Sequence, residues 1–150
     1  MDFAEAYHRF WKEFGTHKKM VLSSSKDDVV SSRMMSIVCI GEKLYFQTDK
    51  TFRKYEQIKN NPNVSLCIDN IQIDGTCYEV NPPSWNKEFS QAYQKYYPFS
   101  YEHYSSLESE CVFEVTANFI ERWHYSNETP WIEQIDIKHK RYSMKEYHIK

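Results

Sequence analysis

Glycine is scarce in this chain of 150 residues, which contains three. Loops that cradle nucleotide phosphates need several closely spaced glycines, and neither G-x-G-x-x-G nor G-x-x-x-x-G-K-[ST] occurs. The G-x-S-x-G turn of α/β-hydrolases and the H-E-x-x-H helix of zinc proteases are also missing. These absences exclude the commonest nucleotide-binding and hydrolytic motifs.

Long apolar runs and an excess of basic charge are missing as well. No run reaches the roughly 18 apolar residues that a membrane span needs, and the charged opening MDFAEAYHRFWKEFG is unlike a secretory signal. The formal net charge is -2, from 19 basic and 21 acidic residues, whereas nucleic-acid and membrane-surface proteins need a basic excess. We therefore expect a cytoplasmic protein that binds neither nucleic acid nor membrane.

The cysteines form no C-x-x-C pair, and all four lie in apolar, strand-like stretches. They are Cys39, Cys67, Cys77 and Cys111. This pattern favours buried, reduced thiols over disulfides or metal ligands. The six histidines are scattered and none pairs at ligand spacing, so we predict no metal site.

The hydrophobic pattern that is present predicts three helices. Apolar residues at helical spacing predict a helix over residues 2–14 that ends at Gly15, and a second over residues 51–60 that Pro62 closes. Ser84 is the expected cap of a third helix. That helix carries a stripe of apolar residues, namely Trp85, Phe89, Ala92, Tyr93 and Tyr96. With the following loop YYPFSYEHY, the stripe could wall a site or cover a dimer surface, but plain core packing is the favoured interpretation.

Alternating apolar and polar residues predict strands, most of them adjacent and joined by short turns. The segments are KKMVLSSS, VVSSRMMSIVCI, KLYFQT, NVSLCID, IQIDGTCYEV, ECVFEVTANFIERWHY and WIEQIDIK. Gly41 and Glu42 predict a tight hairpin turn between the second and third. Short connections favour an antiparallel sheet, and six or seven strands in one small domain favour a closed or half-closed barrel, which removes exposed edges. We expect a single domain over residues 1–150.

Cations crowd the start of the second predicted helix, namely Lys50, Arg53 and Lys54. The partial positive charge of a helix start makes each unfavourable there by roughly 0.3–1 kcal/mol, so they suggest a bound anion. Free N–H groups and the hydroxyls of Thr48 and Thr51 would complete a phosphate site. The alternative is an ion pair between Arg53 and Glu56, with both lysines on a solvated face. This segment alone does not separate the two interpretations.

Two polar residues lie within otherwise apolar strands. Arg33 is flanked by Ser32 and Met34, and burying it without a partner would be costly. It therefore either contacts a ligand or lies at an edge with its head group in water. Gln72 is either a satisfied barrel residue or a ligand contact.

The run from about His17 to Val80 resembles the pyridoxamine 5'-phosphate oxidase-like family of FMN-binding split barrels. The resemblance rests on SSRMMSIVCIGEKLYFQTDKTFRKYEQIKNNPNVSLCID followed by IQIDGTCYEV, which place four separated elements in the family's order. The long strand from Glu110 fits the family's shape without a specific motif. The resemblance implies a mainly β (α+β) fold, a six-stranded antiparallel split β-barrel with flanking short helices. It also implies a homodimer with FMN at the interface.

The resemblance also assigns contacts to individual residues. The expected cofactor-binding residues are Arg33, Met34, Met35, Ser36, Gln47, Thr48, Thr51, Arg53, Lys54 and Gln72. The first four would run beside the flavin ring, mainly through backbone groups. Arg53 and Lys54 would hold the phosphate, Gln47 and Thr48 would contact the ribityl and phosphate region, and Gln72 would reach the ring. Thr51 is included for its hydroxyl at the helix start.

One departure from the family bears on activity. Its oxidases hold their pyridoxal phosphate substrate with a C-terminal Trp and a later Arg-x-His, but this chain ends in HKRYSMKEYHIK, where neither Arg141 nor His148 aligns with that motif. We expect a small FMN-dependent oxidoreductase of unknown small-molecule substrate, since FMN would carry the hydride chemistry. The alternatives are a non-enzymatic protein that binds flavin or haem, and a stress-related or structural dimer with an empty pocket.

Overall fold

The computed structural model describes residues 1–148, which form four helices and eight strands. The helices are α1 (Phe3–Phe14), α2 (Arg53–Asn60), α3 (Lys87–Tyr96) and α4 (Pro98–Tyr104). The strands are β1 (His17–Lys26), β2 (Val29–Ile40), β3 (Lys43–Asp49), β4 (Asn63–Ile68), β5 (Ile71–Glu79), β6 (Glu110–Ser126), β7 (Thr129–Asp136) and β8 (Arg141–Glu146). Strands β1 to β6 close into an antiparallel barrel, and β7 and β8 extend the sheet from β6. The predicted fold class is confirmed.

The barrel is split between β2 and β3. Three residue pairs join these strands, from Val38–Tyr45 to Ile40–Lys43, whereas β1 pairs with β2 over ten residues. Among residues 1–148, no strand therefore pairs with the edge of β2 over residues 29–37 on the β3 side. Backbone groups along such an edge need other partners, and the Tyr97 hydroxyl donates to the Ile37 carbonyl at 2.8 Å.

Apolar side chains fill the barrel and also form a second cluster outside it. Phe46 and Phe113 stack inside the barrel with ring centroids 5.4 Å apart. Helix α1, which starts at the predicted position with Asp2 as its cap, packs its buried aromatic face on this core. The outer cluster lies beneath α3 and contains Val38, Phe89, Tyr93, Tyr97 and Val112. Core packing thus accounts for much of the predicted aromatic stripe.

The backbone geometry of one turn and one β-bulge explains which residues occupy them. Gly41 and Glu42 both have positive φ, 59° and 65°, so the predicted hairpin is a two-residue turn of the type that matches strand twist. Gly75 lies at a bulge where β5 shifts register against β6. A Cβ at this position would lie 2.6 Å from the Thr116 carbonyl oxygen, so the bulge depends on glycine.

The predicted start of the third helix was wrong. Pro83–Trp85 form a separate 3₁₀ turn that contains Ser84, and Asn86 caps α3 by accepting a hydrogen bond from the Phe89 N–H at 3.1 Å. Trp85 is 76% exposed and does not belong to the buried stripe. The adjacent prolines explain the difference, because they restrict the backbone before a regular helix can begin.

Two elements escaped prediction from the sequence. The segment YYPFSYEHY, expected as a loop, contains α4, with Pro98 at its first position, where a missing N–H costs nothing. Strand β8 pairs with β7 although its sequence is mostly polar. The last predicted strand also begins earlier, since β7 covers Thr129–Asp136 rather than residues 131–138.

The cysteines are free thiols, but they are not all buried. Cys77 and Cys111 are buried and Cys39 is half-buried, whereas Cys67 is exposed. The prediction of four buried thiols was therefore wrong for Cys67, which alternates with the core residue Leu66 and so lies on the outer face of β4.

Candidate functional site

The loop between β3 and α2 is held by one carboxylate. Asp49 accepts hydrogen bonds from the Thr51 N–H at 2.8 Å, the Thr51 hydroxyl at 2.7 Å and the Ser109 hydroxyl at 2.7 Å. The Thr51 hydroxyl is therefore engaged with Asp49. The helix begins at Arg53 rather than Thr51, and its N-cap is Phe52, which has no side-chain oxygen to cap the first turn.

Three cations gather above this uncapped helix start. They are Arg33, Arg53 and Lys54. Burial lowers the pKa of the Lys54 ammonium, and nearby Arg33 lowers it further. Burial and Arg53 likewise lower the pKa of Arg33. Within residues 1–148, none of the three has a carboxylate oxygen within 4.0 Å. Cations that destabilise one another and have no carboxylate at ion-pair distance are candidates for an anion site.

The alternative of local ion pairs does not account for these residues. Glu56, the proposed partner of Arg53, lies 2.5 Å from Lys26 of β1 instead. Lys50 does have a counter-ion, since it lies 3.5 Å from Glu79, and it is therefore not part of the cluster. The structure thus keeps Arg53 and Lys54 as anion-binding candidates and assigns Lys50 to another contact.

Arg33 is anchored by neutral acceptors. It donates to the Leu22 carbonyl at 3.1 Å, the Ser24 hydroxyl at 2.8 Å and the Gln57 side-chain oxygen at 3.2 Å. Gln57 and Ser24 are both buried, so this network joins α2 to the end of the barrel. Arg33 is therefore hydrogen-bonded, but none of these acceptors neutralises its charge.

Two buried polar atoms near the loop lack partners. Within the described residues, neither the Thr48 hydroxyl nor one carboxylate oxygen of Glu110 makes a hydrogen bond, although the two residues are 4% and 7% exposed. Glu110 lies opposite Asp49 in the β3–β6 ladder. Burial and Asp49 raise the pKa of Glu110 to about 7, against the opposing effect of Lys54. An unsatisfied buried group costs about 1–3 kcal/mol, so Glu110 is a candidate for a ligand contact. Thr48 lies on the same face of β3 as the barrel-core residue Phe46 and therefore points away from Glu110.

Aromatic and hydroxyl groups border the open edge of β2. Ser36 lies on the outer face of the strand and lines a cavity of about 490 Å³ together with Phe99 and Ser100 of α4. Burial raises the pKa of Tyr93 to about 12, and its neighbours include Ser36, Ser100 and Glu110. The cavity edge and the carboxylate are therefore linked through Tyr93.

The remaining predicted residues have more varied positions. Gln47 is buried and accepts a hydrogen bond from the Ser105 hydroxyl at 2.9 Å, which ties β3 to the end of α4. Met34 is 59% exposed on the outer face of β2, whereas Met35 points into the barrel core. Gln72 lies on β5, separated from Arg33 on β2 by β1 and β4, so the described residues 1–148 do not bring it to Arg33.

Sequence reasoning missed three participants. Glu110 could be recognised as the start of a strand, but its proximity to Asp49 and Lys54 depends on the β3–β6 pairing. Tyr93 was recognised in the apolar stripe of the third predicted helix, but core packing explained its position equally well. Gln57 gave no signal, because a glutamine on a short polar helix is ordinarily exposed.

The sequence matches the model of one family, described as pyridoxamine 5'-phosphate oxidase, over residues 3–124. The chain belongs to this family. No curated protein is significantly similar to it in sequence. The pyridoxamine 5'-phosphate oxidase match includes the split, the cation cluster and Glu110, and it ends before β7.

Solved structures show the same fold at low sequence identity. A pyridoxamine 5'-phosphate oxidase-related, FMN-binding protein from Nostoc punctiforme is 12% identical, with a TM-score of 0.60 over 97% of this chain and 95% of that one. General Stress Protein 26 from Bacillus anthracis is 18% identical, with a TM-score of 0.61 over 77% and 92%. HutZ, a haem storage protein from Vibrio cholerae, is 14% identical, with a TM-score of 0.58 over 78% and 91%.

The two C-terminal residues compared with the oxidase substrate motif lie outside the barrel in this pyridoxamine 5'-phosphate oxidase family member. Arg141 and His148 are both exposed, and β7 lies between β8 and the barrel strand β6. Across residues 1–148, no helix is long and apolar enough to span a bilayer. The same residues contain no cluster of three or more His, Cys, Asp or Glu side chains suited to a metal ion.

Proposed function

We propose that this protein binds FMN and acts as a small flavin-dependent oxidoreductase. The observation that supports it is the cluster of Arg33, Arg53 and Lys54, which has no carboxylate within 4.0 Å in the described chain. A phosphate monoester supplies the missing negative charge, and the uncapped start of α2 supplies N–H donors. Bound FMN would supply hydride transfer.

The open edge of β2 supports a place for the flavin ring. Residues 33–36 lie along a stretch that pairs with β1 but not with β3, so their remaining backbone groups are available to a planar ligand with donors and acceptors. Arg33 belongs to this stretch, and its guanidinium is held by acceptors on β1. Its unneutralised charge would stabilise negative charge on a reduced ligand. Ser36 and Tyr93 would border the same space.

We further propose a homodimer with the cofactor at its interface. Large apolar side chains are exposed around the split, namely Met34 at 59%, Phe52 at 53% and Phe99 at 65%. A second copy that covered them would remove this apolar surface from water. It would also allow Gln72 to reach the flavin from the other protomer, which the strand order prevents within one protomer. The cytoplasmic location remains a prediction that agrees with free thiols.

The direct test compares FMN with riboflavin, which lacks the phosphate. We expect Arg53→Ala/Lys54→Ala to weaken FMN binding about 100-fold or more, because each lost charged hydrogen bond contributes about 1.5–3 kcal/mol. Riboflavin affinity should change little. Fluorescence quenching measures both constants. Lys59→Ala is the matched control, since Lys59 lies on the same helix but pairs with Glu79 at 3.4 Å.

Two results would reject the phosphate assignment. One is a wild-type protein that does not bind FMN better than riboflavin. The other is a double variant whose FMN affinity equals that of wild type.

Enzyme status has a separate test, in which the FMN-loaded protein is supplied with NADH or NADPH and an artificial electron acceptor. Absence of turnover over a broad panel of donors and acceptors would indicate that the protein binds FMN without acting as an enzyme.

A non-enzymatic protein that binds flavin or haem is the second candidate. The similarity to the fold of HutZ, a haem storage protein, favours testing haem. The three cations could pair with the two propionate carboxylates of haem through the same charge complementarity. Titration with haemin would distinguish the ligands, because a saturable Soret shift that FMN does not compete with would favour haem.

A further inference from the structure

We propose that Glu110 contributes a neutral carboxylic acid to the phosphate site, where it donates a hydrogen bond to the bound phosphate dianion. Binding above neutral pH is therefore accompanied by proton uptake. This inference rests on the proposed function, because it concerns the same anion site. It predicts that FMN binding weakens as the pH rises above neutrality, for a reason that resides in the protein rather than in the ligand.

The geometry gives Glu110 this role. It is the first residue of β6 and is 7% exposed, and one of its oxygens has no hydrogen-bond partner in residues 1–148. A buried carboxylate without hydrogen-bond donors is unfavourable, whereas the neutral acid has an O–H group that can donate a hydrogen bond to a phosphate oxygen.

The charges around Glu110 come from four elements. Asp49 of β3 lies opposite it in the ladder, Lys54 of α2 attracts it, and Tyr93 of α3 and Cys111 of β6 are titratable neighbours. Lys54 is the cation among them, and it also belongs to the anion site. A bound phosphate would therefore compete with Glu110 for the same ammonium group and would add negative charge beside the carboxyl group.

The direction of the pH effect follows from these neighbours. Burial and Asp49 already raise the pKa of Glu110 to about 7 without a ligand. A dianion at Lys54 would raise it further, because it disfavours the charged carboxylate. Binding at a pH above the ligand-free pKa therefore takes up a proton. The phosphate group alone has the opposite tendency, since cations favour its dianion and lower its own second pKa of about 6.

The experiment measures FMN and riboflavin affinities of wild type and Glu110→Gln between about pH 6 and about pH 8.5, a range that spans the phosphate and the raised carboxyl. Glutamine keeps the shape of the neutral acid but cannot ionise. We expect similar FMN affinity near pH 6 and about tenfold tighter binding by Glu110→Gln near pH 8.5. Riboflavin should show no such difference. Glu114→Gln is the matched control, on the same face of β6 but paired with Lys43 and Tyr45.

Isothermal titration in buffers of different ionisation enthalpy adds a measurement on the wild-type protein alone. We expect net proton uptake when FMN binds near pH 7.5, where the phosphate is mostly dianionic. Net proton release, or parallel pH profiles for wild type and Glu110→Gln, would overturn the role of Glu110 while FMN binding stands. Absence of FMN binding by every form would instead overturn the proposed function.

Discussion

Phe52 occupies the N-cap of α2, a position that usually carries Ser, Thr, Asp or Asn. No side-chain oxygen reaches the first-turn N–H groups, and Lys54 lies with its ammonium 5.1 Å from the Phe52 ring centroid. Phenylalanine at the N-cap lowers the stability of the helix, but it leaves the N–H donors at the helix start available to an external anion. One residue thus sets stability against ligand binding.

We predict that Phe52→Asp stabilises the ligand-free protein by about 1 kcal/mol, because the new carboxylate caps the helix and offsets the cation cluster. The same change should weaken FMN binding by about tenfold or more, since the carboxylate competes with the phosphate. Urea unfolding and fluorescence titration measure the two effects. Phe52→Ser is the control, because it removes the ring and adds an uncharged cap. Equal FMN affinity for the Asp and Ser variants would contradict the prediction.

At the scale of elements, one buried carboxylate joins α1, β6 and β8 to β7. Glu133 is 1% exposed and accepts hydrogen bonds from Arg122 at 2.6 Å, Tyr142 at 2.8 Å and Arg9 at 3.2 Å, with His124 at 3.0 Å. Burial alone would raise the pKa of Glu133, but Arg122, His124 and Tyr142 outweigh it and lower the pKa to about 2. The network attaches the polar strand β8 to the rest of the protein.

We predict that Glu133→Gln destabilises the protein by about 1–3 kcal/mol at neutral pH, because buried Arg122 loses this countercharge and keeps only the exposed Glu13, at 2.8 Å. In wild type, the stabilisation from Glu133 is present above the ordinary pKa of 4.5 and is lost as the pH falls towards 2. Urea unfolding between about pH 3 and about pH 7 measures both effects. Glu146→Gln, at the exposed end of β8, is the control. Indistinguishable stability of the two variants would refute the role of the network.

At the scale of the whole molecule, the proposed dimer predicts that Met34→Glu yields a monomer with impaired FMN binding. The substitution places a charge on exposed apolar surface at the proposed interface, where burial without a partner is costly. Light scattering after size exclusion measures the mass, and fluorescence measures FMN affinity. Tyr125→Glu is the control, since Tyr125 is 73% exposed at the end of β6 that pairs with β7. A wild-type monomer that binds FMN at full affinity would reject the interface.

The sequence was sufficient for elements whose pattern is local. The α1 helix, the turn at Gly41 and the alternation of β4 and β5 follow from periodicity and turn chemistry. It failed where a contact made elsewhere stabilises the segment. Strand β8 has too little apolar alternation to be recognised, and it is held by pairing with β7 and by Tyr142. The start of α3 shifted because Asn86, rather than Ser84, reaches the first turn.

The same division applies to the site. The unfavourable position of the Arg53 and Lys54 cations at a helix start can be recognised from the sequence, because the helix dipole is a local property. The tertiary structure decided that Arg33 lies near these two cations and that Lys50 pairs with Glu79. It also decided that the Thr51 hydroxyl donates a hydrogen bond to Asp49. The first two outcomes depend on distances between side chains remote in sequence, whereas Thr51 and Asp49 are only two residues apart.

By itself, the sequence determined a barrel of antiparallel strands and a helix start with excess positive charge, since both arise from residues close together in the chain. Only the tertiary structure decided which cations lack counter-ions and which carboxyl group lies beside them. Glu110 and Asp49 are separated by the whole of α2, β4, β5, α3 and α4, and the β3–β6 ladder brings them together. The electrostatics of the site therefore depends on strand pairing, because Coulomb interactions follow distance in space rather than along the chain.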